Sequence, residues 1–172
     1  KAYIPNYRLY KSGLIRGVPT DLTSEDICKN IEVPSSCGKV VKMRRLNRRS
    51  TIDGKTEWIP STTVLLTFEG QRLPENVYLF YNSIKVELYV PPSYICHKCL
   101  RYGHTHKFCQ NSPRCAKCGE GHESASCNNT HDTNPTICVN CKGDHMSTSI
   151  SCPELQRQKS IRLIMASEGI SF

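Results

Sequence analysis

Nine of the eleven cysteines fall between positions 96 and 152, as three repeats of Cys-x-x-Cys followed by His and then Cys. The first repeat, 96–109, offers Cys96, Cys99, His104 and Cys109, with gaps of two, four and four residues. The second, 115–127, offers Cys115, Cys118, His122 and Cys127, with gaps of two, three and four. The third, 138–152, offers Cys138, Cys141, His145 and Cys152, with gaps of two, three and six. Two cysteines on one tight turn set both sulfurs on one side, and a later His and Cys close a tetrahedron around a divalent ion. The pattern predicts three Zn2+ ions in three Cys-Cys-His-Cys knuckles. Cysteines interleaved with histidines in this way read as metal ligands and not as a disulfide framework. They imply a reducing, intracellular compartment.

Other residues nearby are set aside on spacing. His106 is excluded as a ligand because it would need a six-residue gap followed by a two-residue gap. A catalytic zinc keeps an open coordination position and a general base beside it. Here every set already has four ligands, and although Glu120 and Glu123 flank His122, knuckles this small offer no substrate cleft. The expectation is a binding protein and not an enzyme. Cys28 and Cys37 lack a Cys-x-x-Cys context and are read as buried apolar residues. His97 and His131 are expected to be exposed.

The formal net charge is +8. Each loaded knuckle, with one dication on three thiolates, adds 2 − 3 = −1, so the zinc-bound chain carries roughly +5. That balance favours a polyanionic partner. Lys39, Lys42, Arg44, Arg45, Arg48, Arg49 and Lys55 form a cluster interrupted by a single acid, Asp53. Such a cluster can track a phosphate backbone. In the first knuckle, Tyr102 and Phe108 offer rings for stacking on unpaired bases, among Lys98, Arg101 and Lys107. The second knuckle has no aromatic residue and carries Glu120 and Glu123, and the third offsets Lys142 with Asp144. The first knuckle is therefore expected to be the main reader of single-stranded RNA or DNA. The other two position the array, bind weakly or contact protein. The competing class is an assembly or adaptor module whose knuckles contact protein and whose charge is incidental.

The elements that must position these residues divide at Val90-Pro91-Pro92-Ser93, giving a first domain over 1–92, knuckles over 93–152, and a C-terminal helix and tail over 153–172. The first domain reads as α+β. A strand over 13–18 ends at Pro19, and Thr23 with Asp26 forms a capping box with Leu22 stapled onto Ile27. That helix is expected to run to Ile31. Further strands are expected over 39–46, 62–68, 77–81 and 84–90, with Pro74 shortening or removing a second helix. This order resembles an RNA-recognition motif with its ferredoxin-like sheet. The first strand offers only Leu14 and Ile15 and the third only Phe68 where that motif stacks bases, so a degenerate version is expected, or a domain that packs on partners or other copies of itself. After Cys152, Pro153 and Glu154 suit a helix start, Ile161, Ile164 and Met165 make an apolar stripe expected to dock on a knuckle, and Gly169 stops the helix. No run approaches the length of a membrane span. No signal peptide is visible, but the chain begins at Lys1 without Met, as a piece of a longer protein does.

The ordered series of spacings, with middle gaps of four, three and three and last gaps of four, four and six, resembles the Gag-like first-open-reading-frame protein of insect-type non-LTR retrotransposons. The jockey and I-factor groups and their telomere- and ribosomal-DNA-targeted relatives are the nearest in kind. Cys152-Pro153-Glu154, Ile164-Met165-Ala166 and Gly169-Ile170-Ser171 are similar to the segment that follows the third knuckle there. Gly17-Val18-Pro19, Leu73-Pro74-Glu75 and the run from Val86 to Tyr89 are similar to the RRM-like domain that precedes the knuckles. The resemblance implies coating of the element's own RNA, ribonucleoprotein particles in the cytoplasm or nucleus, self-association, a reverse transcriptase partner on a separate chain and a chaperone or packaging role. It implies that the three ligand sets bind zinc.

Overall fold

The computed structural model describes residues 6–52, 54–128 and 136–170. Asp53, His131 and Ser171 lie outside the described residues. The chain forms two compact units, Lys1–Val90 with Met165–Phe172, and Pro91–Ile164.

In the first unit a short α1 (Asn6–Leu9) leads into β1 (Tyr10–Ile15), followed by α2 (Ser24–Asn30), β2 (Ile31–Glu32), β3 (Val40–Ile52), β4 (Lys55–Glu69), β5 (Asn76–Leu79), β6 (Asn82–Lys85) and β7 (Glu87–Leu88). One sheet has the order β3-β4-β1-β7 and a second the order β2-β5-β6, with every pairing antiparallel. β1 begins three residues earlier than the sequence suggests and stops at Ile15, because Gly17 takes a left-handed φ of 80°. The α2 cap forms as expected: Thr23 Oγ1 accepts from the Asp26 N–H at 3.1 Å, and the Asp26 carboxylate accepts from the Thr23 N–H. No second helix stands between β4 and β7 among the described residues; the β5–β6 hairpin occupies that stretch.

Period-two alternation along β4 turns Val64, Leu66 and Phe68 inward and leaves Leu65 and Thr67 on the other face. The inward set meets Ile15, Val18, Ile27, Val77, Leu79 and Val86 in a single core. Phe68 is fully buried there, so its ring is unavailable for stacking. The stretch read as a loop between the second and third strands is instead ladder: Asn47 opposes Pro60 and the pairing runs on to Ile52 opposite Lys55. The Asp53-Gly54 pair is a hairpin signal in the sequence, and Gly54 has a φ of 74°. Cys28 is exposed and Cys37 half-buried, which corrects the reading of both as core residues. α2 is only two turns long and its one buried residue is Ile27, so it has no room for a second inward side chain.

The knuckles lead into α3 (Pro153–Glu168), of which the residues up to Ile164 belong to the second unit. The Ile161-Ile164-Met165 stripe does not become a buried seam: no residue of α3 is buried, and Leu163 and Ile164 are exposed. No helix among the described residues is long and apolar enough to cross a membrane.

Candidate metal centres and nucleic-acid surface

Each knuckle is built by the same backbone device. The N–H of the residue after the second Cys returns to the carbonyl of the first: Leu100 to Cys96 at 2.8 Å, Gly119 to Cys115 at 3.0 Å and Lys142 to Cys138 at 3.0 Å. That residue turns left-handed, with φ of 58° at Leu100, 77° at Gly119 and 65° at Lys142. The first Cys N–H in turn donates to the carbonyl two residues beyond the second Cys, at Arg101, Glu120 and Gly143. The extra residue in the first knuckle is taken up at Gly103, whose φ of 101° suits glycine, and whose N–H donates to Tyr94 O. Short 3-10 turns, His106–Phe108 and Ser124–Ser126, then bring Cys109 and Cys127 back to close their sites. In the third knuckle Cys152 stands immediately before Pro153, and its carbonyl accepts the first helical bond, from Gln156.

The result is three groups, Cys96-Cys99-His104-Cys109, Cys115-Cys118-His122-Cys127 and Cys138-Cys141-His145-Cys152, each with its ligand atoms within 4.8 Å of one another. A tetrahedral ion with Zn–S bonds of about 2.3 Å requires sulfurs roughly 3.8 Å apart. The Cys118–Cys127, Cys138–Cys152 and Cys141–Cys152 sulfurs are 3.9, 3.8 and 3.8 Å apart. Each His presents Nε2 to a sulfur, at 3.3 Å from Cys99, 3.6 Å from Cys118 and 3.0 Å from Cys141. His145 Nδ1 is left to donate to Met146 O at 2.8 Å, which fixes the tautomer and ring plane. All eleven cysteines are free thiols. Donor chemistry and edge lengths both fit three zinc ions, and His106 belongs to none of the groups.

The turn also conditions the first thiol of each site. Burial pushes Cys96 up, but hydrogen bonds from the Cys99 and Lys98 N–H groups outweigh it and bring the thiol down to about 7. The same opposition leaves Cys115 at about 6, through the Cys118 and Lys117 N–H groups, and Cys138 at about 7, through those of Cys141 and Asn140. Burial drives Cys109 and Cys118 the other way, above the ordinary thiol range. A bound dication deprotonates all of them outright.

Serines that spacing alone did not single out hold two of the knuckles. Ser124 Oγ accepts from the Ala116 N–H, and Ser147 Oγ from the Val139 N–H, both at 2.9 Å. In each case a Ser two residues after the ligand His meets the residue after the first Cys, a repeat visible once the knuckles are superimposed in sequence. The knuckles also hold one another. Arg114 N–H donates to Lys98 O, Ile137 N–H to Lys117 O and Ser147 N–H to Ala116 O. Asn140 Nδ2 reaches Leu100 O at 2.9 Å.

The expected nucleic-acid residues separate into two groups. Phe108 is 74% exposed, with Lys107 Nζ 5.9 Å from its ring centroid. Arg101 and Lys107 are exposed and Lys98 is half-buried. Tyr102 is half-buried in the array. Burial, then the Cys152 and Cys138 sulfurs, push its phenol up to about 12. Its polar end therefore faces the third knuckle from the first. Lys39, Lys42, Arg44, Arg48 and Arg49 are exposed, and Arg49 also donates to Thr56 Oγ1 at 3.3 Å. Arg45 is committed elsewhere: its guanidinium donates to Val18 O, Ser61 O, Pro19 O and Leu22 O at 2.8 to 3.1 Å. The alternation that exposes Arg44 turns Arg45 back toward the loops around the core.

Residues 12–88, from β1 to β7, match the family described as Domain of unknown function (DUF8775). Over 58 residues, 34% of the chain, the protein is 43% identical to the nucleic-acid-binding protein from mobile element jockey of Drosophila funebris. It is 38% identical over 58 residues to the protein of the same description from Drosophila melanogaster. The chain spans about a tenth of the length of these curated relatives. No solved structure matches the chain.

Proposed function

We propose that this chain is a single-stranded nucleic-acid-binding protein of a retroelement ribonucleoprotein particle, Gag-like, with a packaging or chaperone role. The observation that carries it is Phe108, a bare ring beside Lys107 on a zinc-held knuckle. An aromatic so placed gains little from folding and is suited to stacking on an unpaired base. The relatives, described as nucleic-acid-binding proteins of a mobile element, support the same class. The first unit is read as a degenerate RRM-like domain: α2 follows β1, β1 lies inside a four-stranded antiparallel sheet, and the β5–β6 hairpin replaces the second helix. The element's own RNA and its reverse transcriptase are the proposed partners, self-association the proposed assembly, and cytoplasmic particles or the nucleus the proposed location. No catalytic step is assigned, since each zinc site already has four protein ligands.

An adaptor reading draws on Ile150, exposed in the third knuckle. The two separate by salt. A phosphate-tracking protein loses affinity linearly with log salt, whereas an adaptor binds single strands weakly and without a steep slope. The test is titration of a labelled single-stranded oligonucleotide over a salt series, with the chain and with Phe108→Ala. The expected result is a steep slope and an affinity reduced about tenfold in the variant at unchanged zinc content. Unchanged affinity would remove Phe108 as the reader.

A further inference from the structure

We infer that the outer half of the β3–β4 hairpin is a second single-strand contact, with Trp58 as its stacking platform. This rests on the reading of the chain as a nucleic-acid binder and adds a site in the first unit.

The hairpin is longer than the core needs. Core residues on β4 begin at Val64, yet pairing continues through Pro60 opposite Asn47 to Lys55 opposite Ile52. At about 3.4 Å per residue the stretch from Pro60 to Lys55 alone adds roughly 17 Å of ladder. A two-stranded ribbon without a core beneath it is only marginally stable in water, so its length asks for a reason beyond folding. Trp58 sits midway along it and is 67% exposed. An indole left in water forgoes the burial that normally retains this residue type in a fold.

The surroundings specify the ligand. Arg49 stands directly across the ladder from Trp58, and alternation puts Thr56 and Thr51 on the same face. Arg49 reaches Thr56 Oγ1, so its guanidinium lies along that face. From Lys39 to Pro60 the sequence holds seven basic residues and two acidic ones, Asp53 and Glu57. Arg48 and Lys55 are exposed as well, on the opposite face of the same ribbon by the alternation. A flat ring with a guanidinium on the same face, on a ribbon of net positive charge, matches a base and its adjoining phosphate. An apolar protein partner would be met by an uncharged rim instead. A duplex keeps its base faces stacked and offers the ring nothing, so the site is selective for single strands.

Trp58 is the sole tryptophan of the chain, which makes its emission a direct reporter. The zinc-loaded chain is titrated with an unlabelled oligo(U) strand while tryptophan emission is followed, and with a labelled strand by anisotropy. The expected result is quenching that saturates with binding. Trp58→Ala should weaken single-strand affinity about tenfold or more, with Trp58→Phe restoring most of it and both variants keeping their zinc and circular dichroism. Emission unchanged while anisotropy reports binding would overturn this site and leave the proposed function standing. Absence of binding in both measurements would overturn both. An altered sedimentation coefficient in Trp58→Ala at unchanged affinity would make the indole a protein contact and overturn it as well.

Discussion

Ser147 shows how little of a knuckle is carried by its ligands alone. Its hydroxyl is fully buried and accepts from the Val139 N–H, which follows directly on the ligand Cys138. Ser147→Ala leaves that amide without a partner, at a cost of about 1–3 kcal/mol. The third knuckle should then release zinc to a chelator several-fold faster. Thr148→Ala, at the exposed position next to it, serves as the control and should release zinc at the original rate. The thiols set a pH limit at the same scale. Cys96, Cys115 and Cys138 are held below the ordinary 9.0, so their contribution is complete above pH 9. It is lost as pH falls through about 7 at Cys96 and Cys138 and about 6 at Cys115. Below that window protons compete with the metal for these sulfurs, so zinc affinity should weaken progressively on acidification, measured by competition with a colorimetric chelator. A zinc affinity that does not weaken with falling pH below about 6 would contradict the assignment of these thiols as ligands.

At the scale of elements, β3 carries two kinds of arginine that composition cannot separate. Arg45 binds four backbone carbonyls around α2 and β4, whereas Arg44, Arg48 and Arg49 are exposed. Replacing Arg45 with Ala should lower the unfolding free energy of the sheet domain by about 2 kcal/mol. Replacing the other three with Ala should leave stability unchanged and flatten the salt slope by about 2. Reversed effects would exchange their roles. The same contrast explains what the sequence discloses. Ligand spacing is local, so all twelve zinc ligands are readable, as are the α2 capping box and the start of α3 at Pro153. Burial is not local. Phe68 and Trp58 stand ten residues apart on one strand, and only the position of the core beneath β4 makes one wholly inaccessible and the other bare. Tyr102 looks like a free ring in its knuckle until the third knuckle folds against it and supplies Cys152.

For the molecule as a whole, the backbone bonds from Arg114 to Lys98, Ile137 to Lys117 and Ser147 to Ala116 join the three knuckles into one body within residues 91–164. Zinc thus organises a surface larger than any single loop, on which Phe108 is displayed. The most direct measurement is native mass spectrometry of the chain with a short single-stranded RNA, before and after chelation. Three zinc ions per chain, an RNA-bound species that carries all three, and loss of that species when the metal is removed are the predicted results. Fewer than three ions in the native chain, or RNA binding indifferent to chelation, would contradict a nucleic-acid surface built on three metal-held knuckles.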